Sequence, residues 1–349
     1  MEHTELLQKI PEPLLRWYDA GARVLPWREN PEPYRVWVSE IMLQQTRVEA
    51  VKPYYERFLA ALPTVRDLAE APEEQLLKLW EGLGYYNRVR NLQKGARAVM
   101  ERFGGQIPAS FEDLRSLPGI GDYTAGAIAS IAFGIRRPAV DGNVLRVVSR
   151  LLCSRDDILD PKVKRDTEAA ITKILPERVG DFNQSLMELG AMVCLPNGAP
   201  KCLTCPLREI CLGYASGEAA SLPVKAPKKA RSQTARTLIL LFCGEKAALQ
   251  KRPGKGLLAG MWEPPAAEGT LSEQETRAYL EGLGVRVLRM DPLPPSRHIF
   301  THTEWQMSAW RAETDAEAGP FTWAEPAQLR GEYALPSAFK AYLPYLLRE

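Results

Sequence analysis

Apolar residues recur every three to four positions over most of residues 2–215, and proline or glycine interrupts this pattern about every ten to twenty residues. A repeat of this length places apolar side chains on one face of an α-helix. Strand-like alternation is not convincing anywhere in this half of the chain. The clearest helices are predicted over residues 48–62, 72–83, 87–103, 110–117, 123–133 and 143–152.

The pattern changes near residue 236. Beyond it, apolar residues form short runs between prolines, which predict strands over 237–243 and 305–310 and one helix over 273–282. Residues 216–236 are poor in apolar side chains and rich in Ala, Ser and Pro, and they include five basic residues between 224 and 236. This composition is typical of a linker, either simply solvated or also following a phosphate backbone.

Length and charge leave several functions open. The 349 residues suffice for two or three domains, and a net charge of +2 permits a nucleic-acid partner without requiring one. No basic segment followed by an apolar core begins the sequence, so we expect no signal peptide. The longest weakly polar run, residues 125–135, is too short to span a bilayer. We therefore expect a cytoplasmic protein without a membrane partner.

Four of the six cysteines fall within eighteen residues, in the pattern C-x7-C-x2-C-x5-C. In a reducing compartment such a group indicates a metal site rather than disulfides. Four thiolates suit either zinc or a [4Fe–4S] cluster, but structural zinc usually has two C-x-x-C arms. With one such arm the spacing favours the cluster and leaves zinc open. The predicted ligands are Cys194, Cys202, Cys205 and Cys211.

A tight turn separates two predicted helices at Pro118-Gly-Ile-Gly121. Gly119 and Gly121 let the chain reverse and leave backbone N–H groups exposed beside a helix amino terminus. Such groups bind anions, and a DNA phosphate suits them. An ordinary helical hairpin would have the same sequence.

Two carboxylates are candidates for acid–base chemistry. Glu40 lies in a run of almost entirely apolar residues, V-W-V-S-E-I-M-L, so its helix should be buried. Burial raises the pKa of a carboxyl group and suits a general acid, although a glutamate at the solvated rim would fit too. Asp141 precedes a predicted helix, whose dipole favours a carboxylate able to stabilise a cation. A simple helix-capping role is the alternative for Asp141.

The hairpin, the segment Val140-Asp-Gly-Asn-Val-Leu-Arg146 and the cysteine loop together resemble the endonuclease III superfamily of DNA glycosylases. Within it, Ser39-Glu-Ile-Met-Leu-Gln-Gln-Thr46 closely resembles the adenine DNA glycosylases. The resemblance covers nearly the whole chain. It implies base-excision repair, with extrusion of adenine mispaired with 8-oxoguanine or guanine and protonation of that base by Glu40.

The resemblance also implies an α + β multidomain architecture. An all-α helix–hairpin–helix glycosylase fold with a [4Fe–4S] cluster loop is followed by a Nudix-like α/β domain. The implied limits are a six-helix barrel over about 27–133, an iron–sulfur part from 1–26 and 134–215, a linker over 216–235 and the Nudix-like domain over 236–349.

Site residues are carried over from the same resemblance. The implied catalytic residues are Glu40, Asp141, Tyr123 and Asn143. The implied adenine pocket consists of Arg23, Leu25, Trp27, Arg28 and Gln184. The implied contacts with DNA or the partner base are Gln44, Gln45, Thr46, Leu83, Tyr85, Arg88, Gly119, Gly121, Phe300, Thr301 and His302.

Three positions depart from relatives. Tyr123 stands where bifunctional relatives have a lysine, and a phenol forms no Schiff base, so a monofunctional enzyme is implied. Seven residues separate Cys194 from Cys202 where the family usually has six; Gly198 and two prolines provide a wider loop. Thr301 replaces the more usual serine of the loop that reads 8-oxoguanine.

The sequence also fits three other functions. A thymine or uracil mismatch glycosylase would share the fold, and a non-catalytic mismatch sensor would share the DNA-binding motifs. A Nudix pyrophosphohydrolase needs a cluster of acidic Mg²⁺ ligands, whereas the acids of residues 272–284 are scattered. We expect a monomer that binds double-stranded DNA and carries a [4Fe–4S] cluster.

Overall fold

The computed structural model describes residues 3–196, 198–227 and 230–348. The chain divides into two compact units. The helical unit lies within residues 1–70 and 90–227, and the sheet unit lies within 71–89 and 228–349. Residues 71–89 therefore group with the sheet unit, although they belong to the helical stretch of the sequence.

In the described residues before 216, the secondary structure is helical apart from two 3-10 turns at Cys202–Thr204 and Arg208–Ile210 and one isolated bridge. The α-helices are α1 His3–Leu7, α2 Pro11–Gly21, α3 Pro26–Glu29, α4 Pro33–Leu43, α5 Val48–Ala61, α6 Val65–Glu70, α7 Glu73–Leu79, α8 Asn87–Phe103, α9 Phe111–Arg115, α10 Asp122–Phe133, α11 Gly142–Leu151, α12 Pro161–Thr172, α13 Val179–Met192 and α14 Leu212–Ala215.

Most of the predicted helices are confirmed to within two residues, and α8 has the predicted bounds. The main difference is α7, which ends at Leu79 rather than at residue 83. Gly82 and Gly84 have φ angles of 98° and 71°, so the chain leaves the helical conformation there. This turn presents Tyr85 at the surface, where it is 50% exposed.

Glycines allow the helices around the site to approach closely. A Cβ atom on Gly126 of α10 would lie 2.2 Å from the carbonyl oxygen of Pro138, and one on Gly190 of α13 would lie 2.6 Å from Asn143 Cβ. Any larger residue would push these segments apart. The two glycines therefore bring the segment before α11 and the start of α11 against α10 and α13.

The sheet unit is built on a mixed sheet in the order β3-β2-β1-β6-β5, with β4 also paired to β1 and β7 to β2. β1 and β6 are parallel, with Leu238 opposite Ala309, and the other pairs are antiparallel. The strands are β1 Ser232–Cys243, β2 Lys246–Lys251, β3 Trp262–Glu263, β4 Ala266–Glu268, β5 Arg289–Ile299, β6 Thr303–Thr314 and β7 Thr322–Ala324.

Residues 237–242 of β1 are buried on both faces. Leu238, Leu240 and Phe242 enter one apolar cluster, while Ile239 and Leu241 enter another on the opposite face. This explains why the segment has a continuous apolar run instead of an alternating one. Three further helices flank the sheet or end the chain: α15 Glu273–Gly282, α16 Pro326–Gly331 and α17 Leu343–Leu347, with a 3-10 turn at Ser337–Tyr342 before the last.

The predicted linker is more structured than its composition indicates. Leu222 and Ala219 are buried in the helical unit, and the Leu222 carbonyl accepts a hydrogen bond of 2.9 Å from Arg150 Nε. At the other end, β1 begins at Ser232, five residues before the predicted strand. Lys228 and Lys229, two of the five basic residues, lie outside the described residues. No helix in the described parts of the chain is both long and apolar enough to cross a membrane.

Candidate active site

Glu40 lies inside the helical unit, on the buried helix α4. Its neighbours on that helix are buried as predicted, and Glu40 itself is only 5% exposed. The Tyr123 hydroxyl donates a hydrogen bond of 2.6 Å to Glu40 Oε2. Burial raises the pKa of Glu40 to about 7, against the opposing effects of this hydrogen bond and of Arg28. The alternative interpretation, in which Glu40 lies at the solvated rim of its helix, is therefore wrong.

Tyr123 is the second residue of α10 and connects two elements around Glu40. Its hydroxyl also lies 3.2 Å from the sulfur of Met187, on α13. Burial and the nearby carboxylates of Glu40 and Asp141 raise the pKa of the phenol well above its usual value. The phenol thus keeps its proton and holds Glu40 Oε2 in a fixed position.

Asp141 caps the amino terminus of α11. Its Oδ1 accepts hydrogen bonds of 2.9 Å from the backbone N–H groups of Asn143 and Val144, and its Oδ2 accepts one of 2.6 Å from Asn143 Nδ2. Three donors match an ionised carboxylate. Burial nevertheless outweighs these bonds and raises the pKa of Asp141. The backbone N–H groups at the start of α11 therefore favour the charged form of Asp141, as expected, while burial opposes it.

The amide of Asn143 is itself held in place. Its Oδ1 accepts a hydrogen bond of 2.8 Å from Arg146 Nη2, and Arg146 Nε donates to the Cys194 carbonyl at 2.8 Å. Arg146 is 5% exposed, so the guanidinium is fixed among these acceptors. A continuous set of hydrogen bonds therefore links Asp141 to the start of the cysteine loop.

The predicted adenine pocket converges on a residue that the sequence did not reveal, Glu188 of α13. Arg23 Nε and Nη2 donate to its carboxylate at 2.7 and 2.8 Å, and Arg28 Nη2 donates at 2.9 Å. Arg28 Nε also donates to Gln184 Oε1 at 3.1 Å. The only sequence signal for Glu188 is its position. It lies four residues after Gln184, and therefore on the same face of the helix.

Two apolar members of the predicted pocket are buried beside these polar groups. Leu25 is the residue before α3, and Trp27 lies within α3. The Trp27 ring meets Tyr55 edge to face, with 5.4 Å between centroids. Trp27 thus has a fixed orientation.

The four clustered cysteines line one cavity of the helical unit, together with Arg150 and Arg208. All four are free thiols and partly buried. Arg150 Nη1 lies 3.2 Å from the Cys194 sulfur and donates to the Leu195 carbonyl at 2.9 Å. Gly198, which was predicted to help accommodate the longer loop, has a φ of 77°. Asn197, within the same loop, lies outside the described residues.

Two predicted DNA-contacting segments lie at turns of the helical unit. Gln45, two residues after the end of α4, is exposed and has a φ of 57°, and Thr46 Oγ1 donates to the Gln44 carbonyl at 3.3 Å. In the hairpin, Gly119 has a φ of 80°, and a Cβ atom there would lie 2.7 Å from Asn91 Cβ. Gly121 precedes α10 without a side-chain cap, as an anion site requires.

The other predicted contacts belong to the sheet unit. The Tyr85 hydroxyl lies 3.2 Å from Thr301 Oγ1, so two residues 216 positions apart meet. Arg88 Nη2 donates to the Leu83 and Gly84 carbonyls and its guanidinium lies 5.6 Å from the Tyr85 ring centre. Leu83 is buried. The contacts of Arg88 thus stabilise the turn at residues 82–85.

The turn between β5 and β6 holds Phe300, Thr301 and His302. The Phe300 N–H donates to the Thr303 carbonyl at 2.8 Å, and the Ser232 N–H donates to the His302 carbonyl at 3.1 Å. Phe300 packs edge to face on Trp305, with 4.8 Å between centroids. Thr301 and His302 are exposed at this turn.

Two family models and several known proteins match the sequence of this chain. The family model described as the HhH-GPD superfamily base excision DNA repair protein matches residues 38–177, and the NUDIX domain model matches residues 237–345. The adenine DNA glycosylase of Mus musculus is 36% identical over 94% of this chain and 77% of its own length. This chain belongs to the adenine DNA glycosylase family.

Other members of this family are also similar. The adenine DNA glycosylase of Homo sapiens is 40% identical over 76% of this chain and 59% of its own length. The adenine DNA glycosylase of Arabidopsis thaliana is 37% identical over 84% of this chain and 55% of its own length. The resemblance and the α + β multidomain fold predicted from the sequence are therefore confirmed.

Solved structures match the helical part of this family member. A thermostable thymine-DNA glycosylase is 28% identical with a TM-score of 0.55, covering 61% of this chain and 98% of that one. Endonuclease III in a non-covalent complex with DNA is 25% identical with a TM-score of 0.53. The match covers 62% of this chain and 99% of the endonuclease III chain. The protein is a base-excision repair DNA glycosylase, a hydrolase whose partner is DNA.

Proposed function

We propose that this chain hydrolyses the N-glycosidic bond of adenine mispaired with 8-oxoguanine or guanine in duplex DNA. The observation that supports this most directly is Glu40, a buried carboxyl group whose pKa is raised to about 7. Such a group retains its proton near neutral pH and donates it to a departing base. The names of the relatives support adenine as that base.

The proposed reaction starts with extrusion of the adenosine nucleotide from the duplex. Glu40 donates its proton to a ring nitrogen of adenine, and the glycosidic C–N bond breaks with both bonding electrons leaving on the base. The negative charge of Asp141 stabilises the cationic sugar. Water then supplies a hydroxyl group to the sugar carbon and a proton to the site, which leaves free adenine and an abasic sugar.

The adenine pocket supports this choice of base. Leu25 and Trp27 provide apolar surface. The polar groups come from Arg23 and Arg28, which both donate to Glu188, and from Gln184, which accepts from Arg28. A flat heterocycle with several hydrogen-bonding edges suits such a mixture. Asn143 contributes by holding Asp141 Oδ2.

The sheet unit is proposed to read the partner base. Thr301 offers a hydroxyl donor and acceptor beside Phe300 and His302, and Tyr85 presents a half-exposed ring on a turn stabilised by Arg88. An aromatic ring on such a turn suits insertion between base pairs, with Leu83 beside it. Gln44, Gln45 and Thr46 are proposed to contact the duplex near the extruded base, and Gly119 and Gly121 to bind a phosphate.

We also propose that the cysteines hold a [4Fe–4S] cluster. Among the described residues, no three His, Cys, Asp or Glu side chains form a group able to hold one metal ion. The four cysteines line one cavity, and their spacing with a single C-x-x-C arm favours a [4Fe–4S] cluster over structural zinc. The bound cluster would fix the loop against DNA, and the hydrolysis needs no electron transfer.

The metal content tests this part of the proposal. Protein purified without oxygen should be yellow-brown and contain iron but no stoichiometric zinc, as measured by visible absorption and elemental analysis. The variant Cys205→Ser should lose the colour, whereas Cys243→Ser, in β1, should keep it. A colourless wild-type protein with one zinc ion would contradict the cluster.

A base-release assay tests the whole function. A duplex with adenine opposite 8-oxoguanine should lose free adenine, and strands should remain intact until alkali is added, because Tyr123 has no amine to form a Schiff base. Adenine opposite guanine should react, and thymine or uracil opposite guanine should not. Release of thymine, or efficient nicking that borohydride traps, would refute the assignment.

We further propose that the enzyme acts as a cytoplasmic monomer on nucleoid DNA. The unpaired cysteines suit a reducing compartment.

A further inference from the structure

Two charged residues attach the helix α7 to the region around α16, within the sheet unit. They are Lys78, in the last turn of α7, and Glu81, just beyond it. Lys78 Nζ donates to the Tyr333 carbonyl at 3.0 Å and to the Leu329 carbonyl at 3.4 Å. Glu81 Oε1 accepts a hydrogen bond of 2.6 Å from the Leu335 backbone N–H. These contacts join residues 251 to 255 positions apart, so tertiary packing alone brings them together.

The two side chains also bind each other. Lys78 Nζ lies 2.7 Å from Glu81 Oε2. An ammonium group has three N–H donors, and this carboxylate and the two carbonyls match that number. The side chains are 20% and 27% exposed, so water screens the pair only partly. An ion pair with further hydrogen bonds to the backbone has a more definite geometry than an ordinary surface pair.

The residues that anchor this ion pair belong to the apolar cluster beneath the β5–β6 turn. Leu329 and Leu335 are buried members of that cluster, together with Trp305. Phe300 packs against the same cluster and meets the Trp305 ring edge to face, with 4.8 Å between centroids. Phe300 directly precedes Thr301 in the turn. The anchor of the ion pair and the turn that carries Thr301 therefore pack on one core.

The turn that carries Tyr85 begins directly after Glu81. The indole of Trp80 is buried, and its Nε1 donates to the Gly84 carbonyl at 3.1 Å, which connects the end of α7 to the turn. The Tyr85 hydroxyl lies 3.2 Å from Thr301 Oγ1. The turn is thus held at its base by the ion pair and meets Thr301 at its tip.

We propose that Lys78 and Glu81 are positioning residues that set the preference for 8-oxoguanine over guanine as the partner of adenine. They hold the ring of Tyr85 at a fixed place relative to the hydroxyl of Thr301. When two groups must contact one base and its neighbours together, a small error in their spacing weakens the recognition strongly. This inference rests on the proposed function, since it assigns the ion pair a part in reading the partner base.

The preference for the partner base tests the proposal. It is the ratio of the second-order rate constants for adenine release opposite 8-oxoguanine and opposite guanine, measured with enzyme in excess but below saturation. In Glu81→Ala and in Lys78→Met this ratio should fall roughly tenfold, because each change removes hydrogen bonds made by a charged group. The rate opposite guanine at saturating enzyme should stay close to that of the wild type, since Glu40 and Asp141 lie in the helical unit.

A conservative variant adds a readout that loss of packing alone would not give. Glu81→Gln keeps a side-chain oxygen that can accept the hydrogen bond from the Leu335 N–H. It should therefore retain more of the preference than Glu81→Ala.

A double-mutant cycle separates alignment from general damage to the fold. Thr301→Ala removes the hydroxyl that the ion pair aligns, so adding Glu81→Ala to it should lower the ratio no further. Lys246→Met is the matched control, because Lys246 of β2 forms an ion pair of 2.8 Å with Glu317, beyond the end of β6. Its ratio should equal that of the wild type. Thermal unfolding of each variant shows whether it is folded.

The outcomes are distinct. An unchanged ratio in folded Glu81→Ala and Lys78→Met, or an equal loss of rate on both duplexes, would overturn the positioning role and leave the glycosylase function standing. A further fall of the ratio when Glu81→Ala is added to Thr301→Ala would show that the ion pair does not act through Thr301, and would overturn the inference too. A wild-type protein that releases no adenine, or that does not distinguish the two partner bases, would instead refute the proposed function itself.

Discussion

Glu40→Gln should bind a duplex with adenine opposite 8-oxoguanine and release almost no adenine. The amide has the shape of the carboxyl group and can still accept the hydrogen bond of 2.6 Å from Tyr123. It has no acidic proton, so the base must leave as an anion. A general acid contributes roughly 10²–10⁴ to a rate, and a loss of that size is expected in a single-turnover assay.

The pH profile of the wild-type enzyme follows from the same group. Burial raises the pKa of Glu40 to about 7. The active form is protonated, so the rate should be high below this pH and fall on the alkaline side, by about tenfold for each pH unit. The Glu40→Gln variant should lack this limb in whatever rate remains.

Glu32→Gln is the matched control for this substitution. Glu32 precedes the same helix, α4, is exposed, and lies 3.4 Å from Arg35. The Glu32→Gln variant should bind the duplex and release adenine like the wild-type protein. Near-normal adenine release by Glu40→Gln, with the Glu32→Gln control unchanged, would show that Glu40 is not the general acid.

The sequence predicted those parts of the site that depend on local pattern. A lone acid in the apolar run around Glu40 indicates a buried carboxyl group, and the structure confirms that burial. The cysteines are close in sequence, so their convergence follows from a short loop. The helix α15 has its predicted bounds, and a capping box of Ser272 and Glu275 sets its first residue.

Contacts between distant segments could not be predicted in the same way. Glu188 meets Arg23 across 165 positions, and nothing in the spacing of either residue indicates the pairing. Tyr85 meets Thr301 for a similar reason. The first residues of β1, from Ser232, are exposed and carry no apolar signal; the register with β6 extends the strand there. Tertiary pairing, rather than local propensity, sets all three features.

Asp141→Asn should also bind lesion DNA and release adenine roughly 10²–10³ times more slowly, the usual cost of losing one electrostatic contact with a charged transition state. The amide oxygen can replace Oδ1 and keep the two backbone N–H bonds that cap α11. Its nitrogen would replace Oδ2, which lies 2.6 Å from Asn143 Nδ2, so two donors would face each other. Single-turnover assays should show this loss at every pH on the acidic plateau.

A second capping aspartate separates catalysis from helix capping. Asp160 caps α12 by accepting a hydrogen bond of 2.7 Å from the Lys162 N–H, and it is exposed. If Asp141 only caps a helix, Asp141→Asn and Asp160→Asn should both keep wild-type turnover and lose at most about 1 kcal/mol of unfolding free energy. If its charge stabilises the cationic sugar, only Asp141→Asn should lose turnover. Both variants remove the charge of a capping carboxylate, so a loss of turnover confined to Asp141→Asn would report on the cationic sugar and not on helix capping.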